Sequence, residues 1–193
     1  MMRAETLEGG FANAPLDAAR AFRVTMSVMA RPGRIEMLNA ARPPAPVSAA
    51  AGTLILTLCD HETGIYLASN CDTPEVRSWI AFHTGAPIVS PDVARFALGR
   101  WTDLVPLGQY SPGTPEYPDR STTLIVETDV LEPQGAVLSG PGIRDTARLS
   151  VPDVSALQDN AARFPLGLDF FLTCADRVAG LPRSTKLEGL ACM

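Results

Sequence analysis

The chain has 193 residues, 46% of them apolar, and 16 basic against 21 acidic side chains give it a net charge of -5. That length suits one domain whose core removes roughly 70% of the unfolded surface from water, so it needs neither a disulfide framework nor a structural metal to fold. An acidic chain without a Lys/Arg-rich run lacks the basic face of a general nucleic-acid binder, and no apolar stretch approaches the roughly 18 residues of a membrane span.

The first twelve residues carry Glu5, Glu8, Gly9 and Gly10 and no apolar run of signal-peptide length, so no secretory signal is expected and a soluble cytoplasmic protein is the default. From Pro15, the residues Leu16, Ala19, Phe22, Met26 and Met29 recur at spacings of three and four, which predicts an amphipathic helix from Pro15 to Ala30 buried through that stripe. Asn13 is available as its cap, and Pro32-Gly33 closes it. A proline-rich connector, 41–52, leads into the apolar run 53–59. Periodicity alone leaves that run open between helix and strand, while the alanines and a Ser48 cap favour a helix starting near Ala49.

A strand is expected at 64–69. A helix follows from Asp72-Thr73-Pro74-Glu75, with Val76, Trp79, Ile80 and His83 on one buried face and Gly85 and Pro87 at its end. After a strand at 95–99 comes a loop with four prolines, 106–120; loops of that length tend to be functional or mobile. Strands are expected at 121–131, 135–142 and 147–151 and a short helix at 154–163. The runs 164–174 and 177–182 form a hairpin turned at Ala175-Asp176. The expected fold is a single α/β domain spanning 1–193, a mixed-sheet sandwich without internal repeats.

Several chemistries are excluded by what the chain lacks. Lys186 is its only lysine and follows Arg183-Ser184-Thr185 rather than a glycine loop, so there is no P-loop. SGPGIRD, 139–145, has Asp145 where a dinucleotide fingerprint needs its third glycine, and strands flank it instead of a helix. There is no GxSxG elbow. Cys59, His61, Cys71 and His83 do not follow zinc-site spacings, so no metal is expected. The four cysteines, Cys59, Cys71, Cys174 and Cys192, have no CxxC pairing and read as reduced thiols. His83 reads as a core histidine on its apolar face, or as a base working with an acid such as Asp169 in a stand-alone phosphotransferase or nucleosidase-like enzyme.

Three loop ends combine Gly, Pro and Arg: Arg31 with Gly33, Gly140 with Gly142 and Arg144, and Arg183 with Ser184. Turns with solvated charges explain each one singly. Together they suggest an anion pocket, because glycine lets amides converge on a ligand and Arg matches phosphate or phosphonate oxygens. At least two of the three are expected to approach each other.

The segments AFRVTMSVMARPG (21–33), TLILTLCD (53–60), FHTGAPIVS (82–90), TLIV (123–126), LSGPGI (138–143) and FPLGLDFFLTCADRVAGLPRST (164–185) resemble, in order and along nearly the whole chain, the PhnH family, a subunit of the bacterial carbon-phosphorus lyase core complex. The resemblance implies a three-layer sandwich similar to a small pyridoxal-phosphate-dependent transferase, without the cofactor. The absence of pyridoxal phosphate agrees with a lone lysine near the C-terminus, expected in a tail, since Schiff-base chemistry needs a lysine. It further implies a homodimer that assembles with PhnG, PhnI and PhnJ. That assembly, with an ATPase-like partner, converts an alkylphosphonate and ATP to a ribose 1-phosphonate 5-triphosphate with release of adenine, before a later step breaks the carbon-phosphorus bond. It supplies no catalytic residue set for this subunit. An assembling subunit should expose an apolar patch, and Trp79, Trp101 and the loop 106–120 are the candidates.

Overall fold

The computed structural model describes residues 8–189; residues 1–7 and Cys192 lie outside the described residues. In chain order the elements are α1 (Ala14–Ala30), β1 (Ile35–Met37), α2 (Ala49–Leu58), β2 (Ile65–Leu67), α3 (Pro74–Thr84), β3 (Phe96–Arg100), α4 (Trp101–Leu104), β4 (Thr123–Glu127), β5 (Ala136–Ser139), β6 (Ala147–Leu149), α5 (Val154–Ala161), β7 (Asp169–Cys174), β8 (Arg177–Leu181) and β9 (Lys186–Glu188). The four longer helices α1, α2, α3 and α5 begin at side chains that accept from a backbone N–H three residues on: Asn13, Ser48, Thr73 and Asp153. Each cap satisfies one of the donors a helix start leaves orphaned. The apolar run 53–59 is thereby settled as helix.

A six-stranded mixed sheet in the order β1-β8-β7-β4-β3-β2 forms the middle layer. The strands β2, β3, β4 and β7 are parallel neighbours, and β8 runs antiparallel to both β7 and β1. Side chains alternate across the sheet with the period of two that a pleated strand imposes. Ile65, Leu98, Ile125, Phe171 and Val178 face α1, α2 and α3. Ala97, Leu124, Val126, Phe170, Leu172 and Leu181 face the other way, onto α5 and a small antiparallel sheet of order β6-β5-β9. The result is an α/β sandwich of three layers with a core on each face of the mixed sheet. Among the described residues no helix is long and apolar enough to cross a membrane.

Three expectations need correction. The α1 stripe Leu16, Phe22 and Met26 points outward and is about half exposed, while Ala21, Thr25 and Val28 are buried. The helix is apolar on two sides, and β8 selects the smaller one: a Cβ at Gly180 would lie 2.8 Å from the Met29 nitrogen, so the backbones meet where no side chain fits. Trp79 is not a surface residue either; it is 1% exposed, and its indole donates to the Glu8 carbonyl at 2.9 Å. Lys186 lies not in a tail but on β9, exposed and opposite Ser139 of β5.

The proline-rich stretch is anchored along its length. It contains 3-10 turns at Leu107–Gln109 and Pro118–Arg120 and the buried ring of Tyr110. The Gln109 amide donates to the Leu104 carbonyl at 2.9 Å and the Gly167 N–H to the Pro112 carbonyl at 3.0 Å. Backbone groups paired in this way hold a loop to its scaffold.

Candidate functional site

In an open α/β sheet, ligands bind outside the carboxyl ends of the parallel strands. Here those ends carry Arg100 on β3, Glu127 on β4 and Thr173 on β7, which are register partners in one row and share the helix-side face. A cleft of about 340 Å³ opens at this edge. Trp101, Val130, Val151 and Pro152 supply its apolar walls, and Glu127 and Thr128 part of its polar lining. The Trp101 ring leans on Phe170, with centroids 6.2 Å apart. At the mouth, Arg100 pairs with Asp129 at 3.1 Å, an exposed contact of small energetic weight.

Glu127 is the unusual group. One carboxyl oxygen accepts from the Ser48 N–H at the start of α2 at 2.7 Å, and the other lies 3.0 Å from the Thr173 hydroxyl. Burial outweighs those hydrogen bonds and the nearby charge of Arg100, and it holds the carboxyl above its usual range. The same Thr173 hydroxyl lies 3.2 Å from the Val126 carbonyl. One hydroxyl proton serves only one of these two acceptors. A proton on Glu127 Oε2 gives both contacts a donor: Oε2–H donates to Thr173, whose own proton goes on to Val126. The geometry therefore agrees with a neutral acid facing the cleft.

The residues singled out from sequence lie at the opposite, amino edge. The three Gly/Arg loops do meet: a Cβ at Gly142 would lie 2.0 Å from the Ala30 carbonyl oxygen, one at Gly140 3.1 Å from that of Ser184, and one at Gly33 2.6 Å from the Ala147 methyl. The atoms nearest these glycines are mainly carbonyl oxygens and a methyl, close contacts that a missing Cβ and a positive φ allow. Arg31 reaches Ser27 at 3.2 Å and Arg144 is exposed. Arg183 is engaged within the chain at every guanidinium nitrogen: by Asp169, which also accepts its N–H at 2.8 Å, by Ser121, and by the Pro118 carbonyl at 2.7 Å.

Asp169 is thus held by Arg183. The His83 ring lies 5.0 Å, centroid to centroid, from both Trp79 and Phe82, and a Cβ at Gly10 would come within 2.5 Å of its Cε1. Its Nε2 has no hydrogen-bond partner among the described residues. Among those residues no three His, Cys, Asp or Glu side chains group as a metal site.

Sequence reasoning missed Arg100, Glu127 and Thr173, and singled out Trp101 only for an apolar patch. A signal was present: the buried strands FALGR and TLIVE both end in a charge, and both end at the same edge.

Comparison with known proteins places this architecture. The model of a family described as bacterial phosphonate metabolism protein (PhnH) matches residues 9–188. A protein of Rhizobium meliloti (strain 1021), the alpha-D-ribose 1-methylphosphonate 5-triphosphate synthase subunit PhnH, is 43% identical over 195 residues, covering 96% of this chain and 98% of the relative. A match that runs through both core layers and both edges of the sheet leaves no element of the fold outside it, and the chain belongs to the PhnH family of bacterial phosphonate metabolism proteins.

Proposed function

We propose that this chain is a subunit of a cytoplasmic synthase that forms alpha-D-ribose 1-methylphosphonate 5-triphosphate from ATP and methylphosphonate in alkylphosphonate breakdown. The observation that carries the reading is the 43% identity to a subunit of that name over 96% of the chain. The chain acts within an assembly, as a homodimer alongside PhnG, PhnI and PhnJ, and its fold is of the pyridoxal-phosphate-dependent transferase kind, reduced in size and working without that cofactor.

The outward face of α1 supports an assembling role. Leu16, Phe22 and Met26 are exposed along one side of that helix, and Met37 is also exposed on β1, which packs against α1. Apolar side chains grouped on an exposed helix face are a feature of interaction sites on soluble proteins.

The test is genetic and biochemical. In a bacterium whose own gene for this subunit is deleted, this chain should restore growth on methylphosphonate as the only phosphorus source, and a tagged copy should bring down PhnG, PhnI and PhnJ, identified by mass. Absence of both growth and co-purification would overturn the reading.

A further inference from the structure

The polar groups around the carboxyl-edge cleft are already committed as donors. The Thr128 hydroxyl donates to the Thr173 carbonyl at 3.0 Å, and the Ser150 hydroxyl to the Val130 carbonyl at 3.3 Å. Glu127 presents its remaining lone pairs, with one oxygen fixed by Ser48. The cation at the mouth, Arg100, is matched by Asp129. An anion entering here meets the Asp129 carboxylate beside Arg100, whereas a ligand that donates hydrogen bonds finds acceptors already in place. Trp101, Val151 and Pro152 add flat and aliphatic surface suited to the face of a planar ring. A volume of about 340 Å³ lies at the small end of ligand pockets.

We propose that this cleft binds a nucleobase bearing an exocyclic amino group, its ring against Trp101 and its amino group donating to Glu127. The choice of a nucleobase among flat amino-bearing rings rests on the synthase reading. A product that is a ribose 5-triphosphate substituted at C1 requires a donor with the same ribose triphosphate and a leaving group on C1, and a nucleoside triphosphate is that donor. In this assignment the subunit holds the base while the phosphate groups lie outside the cleft.

Isothermal titration calorimetry tests the site with adenosine, inosine and ribose 5-phosphate, on the full chain and on the co-purified assembly. Adenosine should bind. Inosine, which presents a carbonyl where adenosine has its amino group, should bind at least about tenfold more weakly, because two acceptors then face each other. Ribose 5-phosphate alone should give no saturable heat. Trp101→Leu should weaken adenosine about tenfold, and Arg144→Ala, at the far edge of the sheet, should leave it unchanged. Equal affinity for adenosine and inosine, or no adenosine binding by either preparation, would overturn the assignment whether or not Trp101→Leu folds. Growth on methylphosphonate separates the two readings. A chain that restores growth but does not discriminate adenosine from inosine removes the cleft, and one that discriminates but fails both to restore growth and to co-purify removes the synthase.

Discussion

The Thr173 hydroxyl lies 3.0 Å from a carboxyl oxygen of Glu127 and 3.2 Å from the carbonyl of Val126, two acceptors within reach of one proton. A protonated Glu127 resolves that count, and burial pushes its pKa in the same direction, up from 4.5. Because the folded-state value is raised, the group's stabilising contribution is fully present below the unfolded value and is lost as pH rises through the folded one.

Glu127→Gln reproduces the neutral acid: its carbonyl can accept from Ser48 while its amide donates to Thr173. The variant should equal or exceed the parent in stability at about pH 7, and the parent should lose ground to it as pH climbs from about 4.5. Urea denaturation across about pH 4 to 8 measures the difference. Parallel curves for the two proteins would show that folding leaves the Glu127 pKa unshifted.

Arg183 and Asp169 form a pair with side chains only 12% and 18% exposed, further tied to Ser121 and the Pro118 carbonyl. Removing one partner leaves an uncompensated charge, so Arg183→Ala should cost about 3 kcal/mol. It should also free the stretch around Pro118, making the loop 106–120 a site of early proteolysis. If the variant instead keeps full stability and loses only affinity for an anionic ligand, Arg183 belongs to a binding pocket after all.

Burial pushes the Cys59 and Cys71 thiols up to about 12. Cys174 is partly exposed and donates weakly to the Asp129 carbonyl at 3.5 Å. Thiolate, not thiol, reacts with maleimide. In a Cys192→Ser chain at neutral pH, mass spectrometry should find Cys174 modified first, with Cys59 and Cys71 modified only on unfolding. Equal labelling of all three in the native protein would contradict the packing around them.

Local signals were the legible ones. The caps at Asn13, Ser48 and Thr73, and the turn at Ala175 with its φ of 54°, are written in a few adjacent residues, and they set the elements they begin or join. Very short elements escaped notice: β1 and β9, at three residues each, are too brief for periodicity and exist through their pairing with β8 and β5. The edge row Arg100, Glu127 and Thr173 left only a faint signal, the charges that end FALGR and TLIVE, for a different reason. Its members are distant in the chain and become neighbours only through strand register. The Gly/Arg loops read two ways because a glycine required for close packing and one that cradles an anion look alike in sequence; the atoms facing Gly140 and Gly142 show the close packing.

The two faces of α1 make opposite predictions. Gly180 meets the α1 backbone, where a Cβ would lie 2.8 Å from both the Met29 nitrogen and the Val28 carbonyl carbon. Backbone cannot rotate away as a side-chain end can, so Gly180→Ala must push α1 off the sheet and should destabilise the fold by about 1–3 kcal/mol. Met26, half exposed on the outward face, touches no such constraint. Met26→Glu should leave the denaturation midpoint within about 0.5 kcal/mol of the parent, while light scattering shows a dimer converted to monomer, since the charge would be buried in an apolar interface. An unchanged molecular mass in Met26→Glu and in Phe22→Glu would mean that this face makes no dimer contact. A destabilised Met26→Glu monomer would mean that this face packs within the chain.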